Sequence, residues 1–262
     1  MAIDEAIFRA RAEGAVPPTL RLYAWRPPAV SLGRFQELDE RIDLEAIRVR
    51  GYDLVRRPTG GRAILHSHEI TYSVVVRETD IRDGHALMTS YQEISRGIEA
   101  GLGLLGVQAV MGGLAQRKGE QRQPLPTICF AKAARCDLVA GGRKIVGSAQ
   151  TRSRGTILQH GSIPLTIDLD DLLAVLPGVR GEDTGCRREK LRQAACGVAE
   201  LVGRPVTRDE AAAAICLGFQ ATLGVELVER DLTPKEEAWA QELVATKYAA
   251  ADWTARAEAR RD

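Results

Sequence analysis

The glycine pair Gly141-Gly142, which separates two stretches of β-type sequence, constrains the fold more than any other feature of the chain. Adjacent glycines tolerate positive φ at both central positions of a type I′ turn, and this turn joins two antiparallel strands in a fixed register. The sequence therefore predicts a hairpin of residues 135–140 and 143–150 in which Val139 lies opposite Lys144.

Lys144 falls on the face of this hairpin that otherwise carries core-facing residues. Lysine is almost never buried without a partner, so a lysine in such a set is a candidate ligand for a substrate carbonyl. Asp137 lies diagonal to Lys144 on the same face, where its carboxylate could orient the ammonium or tune its charge. The alternative is an edge-strand lysine whose ammonium reaches solvent.

Cys129 precedes the hairpin and follows residues 112–126, GGLAQRKGEQRQPLP, a segment without apolar periodicity that we expect to be an exposed mobile loop. A thiol there is reachable by a bulky partner and close to the sheet. With a pKa near 8.5, about 3% of a free thiol is ionised at pH 7, and a neighbouring ammonium lowers that pKa. Cys129 is therefore the candidate nucleophile, with Lys144 as its partner.

The other four cysteines form no CxxC pair, so neither a disulfide framework nor a zinc knuckle is predicted. Cys136 lies in the hairpin and faces away from Lys144. Cys196 and Cys216 fall in apolar helical stretches, and we interpret these three as small core residues. Cys186 is predicted to be a loop thiol.

The stretch from Arg56 to His66, RRPTGGRAILH, places a Gly-Gly loop between two predicted strands. Thr59, Gly60 and Gly61 could present backbone N–H groups to an anionic or carbonyl oxygen, and Arg57 could supply a charge. A tight turn with no ligand explains the same glycines. His66, His68 and His160 follow no metal-ligand spacing, so no metal site is predicted, and His160 either lines a pocket or is hydrogen-bonded in the core.

Short β-type runs alternate with amphipathic helices as far as residue 163, and helices dominate afterwards. The pattern predicts an α/β (α+β) fold in which a twisted mixed β-sheet is flanked by helices, with a domain at residues 1–205 and a mainly helical extension at 206–262. Beyond the hairpin, the predicted strands are 20–25, 30–35, 52–56, 63–65, 69–76 and 157–163, and the predicted helices are 3–10, 42–50, 88–105, 168–176, 187–201, 207–223 and 233–246.

The charges nearly cancel: 36 Lys plus Arg against 35 Asp plus Glu give a net charge of +1, which predicts no nucleic-acid partner. No apolar run reaches the roughly 18 residues that cross a bilayer, and the first residues lack the pattern of a signal peptide. We expect a cytoplasmic monomer with no membrane partner.

Three stretches taken together, RRPTGGRAILHSHEITYSV, TICF and GGRKIVGSAQTRSRGTILQHGSI, resemble the octanoyltransferase and lipoate–protein ligase family, which is related to biotin ligases. The resemblance spans most of residues 1–165. The cysteine of TICF, the QHGS motif and the helical tail are most similar to the cysteine-dependent octanoyl-[H protein]:protein octanoyltransferase branch. The chain departs from that branch at residues 133–137, AARCD, where a Pro-Ser-x-Tyr-Glu pattern is usual, and its opening MAIDEA resembles an internal segment, so Met1 is a candidate late start.

This resemblance implies a biotin/lipoate-ligase-like catalytic domain that holds an acyl chain in a hydrophobic tunnel, with the acyl carbonyl near Lys144. It places the nucleophile of the branch at Cys129. With the residues singled out above, the expected substrate-binding set is Arg57, Thr59, Gly60, Gly61, His66, Asp137, Gly147, Ser148, Ala149, His160 and Gly161.

The implied reaction is ping-pong acyl transfer. Cys129 takes octanoyl from the phosphopantetheine thioester of octanoyl-acyl carrier protein, and a lysine of the glycine-cleavage H protein or of a lipoyl domain of a 2-oxoacid dehydrogenase takes it from Cys129. No other cofactor is expected. Two alternatives remain: an ATP-dependent lipoate–protein ligase, which forms lipoyl-adenylate in the same pocket and needs no cysteine, and a non-catalytic acyl-binding protein.

Overall fold

The computed structural model describes residues 1–112, 136–178 and 183–255. The strands are β1 Thr19–Tyr23, β2 Ala29–Leu32, β3 Asp53–Arg56, β4 Ile64–His66, β5 Glu69–Arg77, β6 Val110–Met111, β7 Leu138–Ala140, β8 Arg143–Ser153 and β9 Thr156–Pro164. The helices are α1 Ala2–Ala12, α2 Leu44–Val49, α3 Leu87–Leu104, α4 Leu169–Val175, α5 Thr184–Ala194, α6 Val198–Val202, α7 Arg208–Leu223, α8 Pro234–Leu243 and α9 Ala251–Ala255. Within these ranges, no helix is long and apolar enough to span a membrane.

The larger sheet has six strands in the order β1-β5-β9-β8-β7-β6, and each pair of neighbours is antiparallel. Its central strands β5 and β9 are buried along almost their whole length. Helices α3 and α7 cover one face of this sheet, and the apolar residues between sheet and helices form the largest core. The predicted α/β fold, a sheet flanked by helices, is confirmed.

A second sheet of three strands, in the order β3-β2-β4, packs against α2, α4 and α5 around a core of its own. In this sheet β2 pairs with β3 in parallel and with β4 in antiparallel fashion. The predicted mixed sheet is thus two sheets, and among the described strands the parallel pair belongs to the smaller one. The Gly-Gly loop joins β3 to β4, so the small sheet carries this loop to the edge of the large one.

The predicted pairing across the hairpin turn is confirmed, but the first strand is shorter than the predicted residues 135–140: β7 begins at Leu138, and the register shifts between Leu138 and Val139. Val139 pairs with Lys144, and both turn glycines have positive φ, 55° at Gly141 and 77° at Gly142. Strand β8 extends to Ser153, beyond the hairpin, because after Val146 it leaves β7 and pairs with β9 from Gly147 onward. Lys144 lies shortly before this change of partner, on the part of β8 that still pairs with β7.

Two predictions for residues 183–201 were wrong: the continuous helix and the loop position of Cys186. The helix predicted at residues 187–201 is interrupted: α5 ends at Ala194, residues 195–197 are extended, and α6 begins at Val198. The interruption lets the chain run beside β8 as an isolated parallel bridge from Ala195 to Lys144. Cys186, predicted in a loop, lies in the exposed first turn of α5, where the Asp183 side chain caps the helix by accepting a hydrogen bond from the Cys186 backbone N–H.

Candidate active site

A cavity of about 320 Å³ opens where the β7–β8 hairpin, strand β9 and the Gly-Gly loop meet. This volume lies at the small end of the range for ligand pockets. Its lining contains these residues of the predicted set: Arg57, Gly61, His66, Asp137, Lys144, Gly147, Ser148, Ala149, His160 and Gly161. The lining also contains Met1, Arg62, Ile64, Thr71 and Ser162. Thr59 and Gly60 lie behind the wall and contact lining residues.

Lys144 and Asp137 form an ion pair in this cavity. The Lys144 Nζ lies 2.8 Å from Asp137 Oδ2, and the two side chains are only 8% and 3% exposed. The other carboxylate oxygen, Oδ1, accepts a hydrogen bond of 3.1 Å from the Ser148 backbone N–H. Because a lysine buried to this degree requires a compensating partner, Asp137 fixes the ammonium at one place in the cavity wall.

The backbone around Lys144 is held from the other side as well. Its carbonyl oxygen accepts a hydrogen bond of 3.0 Å from the Cys196 backbone N–H, in the interruption between α5 and α6. Gly147 leaves room for the end of the lysine: a Cβ at this position would lie 3.0 Å from Lys144 Cε and 3.1 Å from Nζ. The ammonium therefore occupies space that any other residue at position 147 would restrict.

Arg57 organises the Gly-Gly loop. Its guanidinium donates to the carbonyl oxygens of Gly60 and Arg62 on the loop and to the Ser31 carbonyl and hydroxyl on β2. Gly61 has a φ of +105°, and a Cβ there would lie 2.5 Å from an Arg57 guanidinium nitrogen. The arginine thus shapes the loop by bonding to its carbonyls and brings a buried positive charge to the cavity.

His160 is buried, and its Nε2 lies 2.6 Å from the Thr59 hydroxyl oxygen behind the loop. Burial lowers the pKa of His160 to about 3, although the nearby Asp4 carboxylate acts in the opposite direction. The imidazole is therefore neutral at physiological pH, and it joins β9 to the loop through a neutral hydrogen bond.

His66 is held at both ring nitrogens. Its Nε2 lies 2.7 Å from the Ser31 hydroxyl, and its Nδ1 lies 2.7 Å from Glu69 Oε1. Burial alone would raise the pKa of Glu69, but its electrostatic interaction with His66 and hydrogen bonds from His66, Thr71 and Ser162 lower it. Ser31, His66 and Glu69 are thus linked in the order of a Ser-His-Glu triad. Because Ser31 is fully buried and its hydroxyl accepts a hydrogen bond from Arg57, these three side chains stabilise the cavity wall.

Trp25 packs behind His66, which lines the cavity. Its ring stacks on the imidazole with centroids 4.5 Å apart, and its Nε1 donates to the Thr71 hydroxyl at 2.9 Å. On its other side Trp25 lines a neighbouring groove, and Met1 lines both the groove and the cavity. The tryptophan therefore stands between the two spaces.

Three cysteines within the described ranges are poor nucleophiles, because the pKa of each thiol is raised. Burial raises the pKa of Cys136, Asp137 raises it further, and the side chain packs against the core beside α3. Burial raises the pKa of Cys196 to about 11, and it also raises the pKa of Cys216. Cys129 and nearly all of the segment predicted as a mobile loop lie outside the described residues.

Sequence reasoning missed the places of Trp25, Thr71 and Glu69 in the site and the contact from Cys196. Alternation along β5 and β9 could have identified Thr71, because it pairs with Ser162, which shares a face of the sheet with His160. The contacts of Trp25 and of Cys196 join residues more than 40 positions apart, and no local pattern reveals them.

Residues 1–220 match the family described as the lipoyl protein ligase A/B catalytic domain. A relative named octanoyltransferase LipM from Symbiobacterium thermophilum is 46% identical over 258 residues, which cover 98% of this chain and 93% of the relative. The relative of the same name from Bacillus subtilis is 38% identical over 257 residues, covering 97% and 92%.

Solved structures agree with the sequence relatives. A lipoate-protein ligase A bound with ATP superimposes with a TM-score of 0.77 at 30% identity, covering 97% of this chain and 92% of that chain. A putative lipoate protein ligase from T. acidophilum with bound lipoic acid gives a TM-score of 0.76 at 29% identity, covering 97% and 91%. By sequence over nearly its whole length and by fold, the chain belongs to the lipoyl protein ligase A/B family.

Proposed function

We propose that this chain is a protein N-octanoyltransferase of lipoate biosynthesis that carries the octanoyl group on Cys129. The observation that carries the proposal is the buried Lys144–Asp137 pair in the wall of the cavity, in a chain whose relatives over 97–98% of its length are named octanoyltransferases. A fixed ammonium in a low-dielectric wall is suited to stabilise the oxyanion of acyl transfer.

The reaction proceeds in two acyl transfers. The Cys129 thiolate attacks the carbonyl carbon of the octanoyl thioester, a new C–S bond forms, and the carrier's phosphopantetheine thiolate leaves and takes up a proton. The neutral amine of the acceptor lysine then attacks the acyl-Cys129 carbonyl. The amide C–N bond forms, the Cys129 thiolate is released, and the amine loses its proton to solvent.

Lys144 acts in both steps through its position. Its Nζ donates to the acyl oxygen as negative charge develops on it, while Asp137 and the backbone contact from Cys196 hold the lysine in place. His160 is neutral and therefore adds no charge beside the Lys144 ammonium. No cofactor other than the carrier's phosphopantetheine enters these steps.

The choice of Cys129 as nucleophile is supported by the other cysteines. Burial and Asp137 keep the thiol of Cys136 protonated, and burial does the same for Cys196 and Cys216. A thiol must ionise to attack a thioester, so these three are unsuited to the role. Cys129 precedes Asp137 by eight positions, which is close enough in sequence for its thiol to reach Lys144.

The acceptor is a protein that carries a lipoyl domain, in keeping with the octanoyltransferase and lipoate ligase relatives. We propose the glycine-cleavage H protein or the lipoyl domains of 2-oxoacid dehydrogenases as acceptors and octanoyl-acyl carrier protein as the donor. We further propose that the chain acts as a monomer in the cytoplasm.

One observation favours a second candidate, an ATP-dependent lipoate–protein ligase: the structural neighbour with 30% identity is a ligase that binds ATP. The two functions differ in their need for a cysteine and for ATP. A ligase activates the free acid through an acyl-adenylate and catalyses exchange of pyrophosphate with ATP, whereas the transferase does neither and requires a thioester.

The test compares cysteine variants with an octanoyl thioester donor and a purified lipoyl domain. Cys129→Ser should lose transfer, because a serine hydroxyl is far less nucleophilic at neutral pH, and Cys136→Ser should retain it. Persistent transfer by Cys129→Ser, or octanoate-dependent ATP–pyrophosphate exchange by the wild type, would refute the acyl-cysteine mechanism.

A further inference from the structure

Three neighbouring strands carry an aligned row of residues on the sheet face opposite His160. Tyr72 on β5 pairs with Gly161 on β9, and Gly161 pairs with Ser148 on β8. The Tyr72 ring lies over Gly161, because a Cβ at position 161 would come within 2.5 Å of the ring. The hydroxyl of Tyr72 thereby spans the central strand and lies 2.7 Å from the Ser148 hydroxyl.

The directions of the hydrogen bonds that lead to Tyr72 follow from the far end of the row. The Arg152 guanidinium can only donate, and its Nε donates to the Gln150 side-chain oxygen at 2.8 Å. The Gln150 amide nitrogen then donates to Gln159 Oε1 at 3.0 Å, and the Gln159 amide nitrogen donates to the Tyr72 oxygen at 3.1 Å. Tyr72 thus accepts from Gln159 and shares a second hydrogen bond with the Ser148 hydroxyl, in which either oxygen can donate.

Ser148 connects this row to the ion pair. Its backbone N–H donates to Asp137 Oδ1, and Asp137 Oδ2 holds Lys144 Nζ. Ser148 also lies one residue past Gly147, where β8 has just changed its pairing from β7 to β9. A hydroxyl anchored to β5 at this point fixes the part of the backbone that orients the carboxylate.

We infer that Tyr72 is a positioning residue for acyl transfer: through Ser148 and Asp137 it sets the place of the Lys144 ammonium. Tyr72 touches no substrate in this role. It is fully buried, and burial raises its pKa, so the phenol stays protonated and keeps its hydrogen bond with Ser148 at neutral pH. The inference rests on the proposed function of Lys144.

The experiment uses Tyr72→Phe, which keeps the ring over Gly161 and removes only the hydroxyl. Steady-state octanoyl transfer from the octanoyl carrier to a lipoyl domain is measured at a temperature where every variant is folded. We expect kcat to fall about tenfold with KM for the carrier within about twofold, because a catalytic group displaced by a fraction of an ångström loses rate and not ground-state binding. Ser148→Ala should show the same split, and Ser148→Thr, which keeps a hydroxyl, should recover most of the rate.

The double variant separates positioning from two independent effects. If Tyr72 acts through Ser148, Tyr72→Phe combined with Ser148→Ala should be about as slow as the slower single variant, whereas independent effects would multiply to about 100-fold. Tyr248→Phe is the matched control. It also removes a buried tyrosine hydroxyl, bonded to Glu5 outside the cavity, and should leave kcat unchanged even if the melting temperature falls.

A wild-type kcat in folded Tyr72→Phe, or multiplicative losses in the double variant, would overturn the inference. If Tyr72→Phe does not fold, Ser148→Ala decides alone, and an unchanged kcat there would overturn it as well. Failure of the proposed function gives a different result from failure of this inference. In that case the wild-type protein would form no octanoyl-enzyme, and Lys144→Ala would be no slower than the wild type.

Discussion

Replacing Gly147 by alanine tests whether the place of the Lys144 ammonium controls the rate. The new Cβ would lie 3.0 Å from Lys144 Cε and 3.1 Å from Nζ, which is closer than ordinary van der Waals contact. Gly147 has no positive φ, so alanine meets no backbone strain there. The end of the lysine is flexible and must move by a few tenths of an ångström, while the fold is retained.

Because a misplacement of about 1 Å at a reacting centre costs roughly 10²-fold in rate, a shift of a few tenths predicts a loss of roughly three- to tenfold. The added methyl group should also lower the free energy of unfolding by about 1 kcal/mol, the lower end of the usual cost of overpacking, which corresponds to about 2–4 °C in Tm. Single-turnover transfer and thermal unfolding measure both quantities.

Two other glycines serve as comparisons. Gly103, exposed in α3 with nothing within 4 Å of a Cβ, should accept alanine with unchanged transfer and a gain of up to about 1 kcal/mol. Gly161→Ala would place its Cβ 2.3 Å from the Gly147 carbonyl oxygen, which is backbone and cannot yield, so we expect it to unfold at much lower temperature. Wild-type transfer by folded Gly147→Ala would refute the claim that the rate depends on the position of Lys144.

Three further predictions concern other parts of the site. Lys144→Arg should lose transfer in single-turnover assays despite keeping its charge, because the planar fork is bulkier than an ammonium, and more than about a tenth of the wild-type rate would contradict this. Trp25→Ala should join the cavity to the neighbouring groove and raise kcat/KM for dodecanoyl relative to octanoyl carrier, whereas Trp25→Phe should preserve the octanoyl preference. Because the pKa of His160 is lowered to about 3, the unfolded chain binds a proton at this residue below about pH 6.5 and the folded chain does not. In urea unfolding, the free energy of unfolding should therefore fall by about 2 kcal/mol from pH 7.5 to 5 through this group, and His160→Gln should lack that part of the fall.

The hairpin at Gly141-Gly142 was predictable because its determinants are local. The turn fixes the pairing of Val139 with Lys144, and Asp137, which directly precedes β7, forms the predicted contact with the ammonium. The positions of most helices were predictable for the same reason, since their apolar period and capping residues lie within each segment.

The rest depends on pairings between distant segments. Nothing local to β2, β3 and β4 indicates that they form a sheet of their own, and nothing around Cys196 indicates that its N–H reaches Lys144. From its sequence position, Tyr72 is indistinguishable from other core residues of a strand. Its hydroxyl can bond to the Ser148 hydroxyl only because Gly161, on the strand between them, has no side chain. Such contacts follow from the order of strands in the sheet, which short-range patterns do not specify.

Intact mass spectrometry after incubation with octanoyl-acyl carrier protein tests the acyl-enzyme most directly. The account predicts one octanoyl adduct on the wild-type protein that is removed by hydroxylamine, is present in Cys136→Ser, is absent in Cys129→Ser, and disappears when a lipoyl domain is added. An unmodified wild-type protein that nevertheless octanoylates the lipoyl domain, or an adduct that persists in Cys129→Ser, would contradict it.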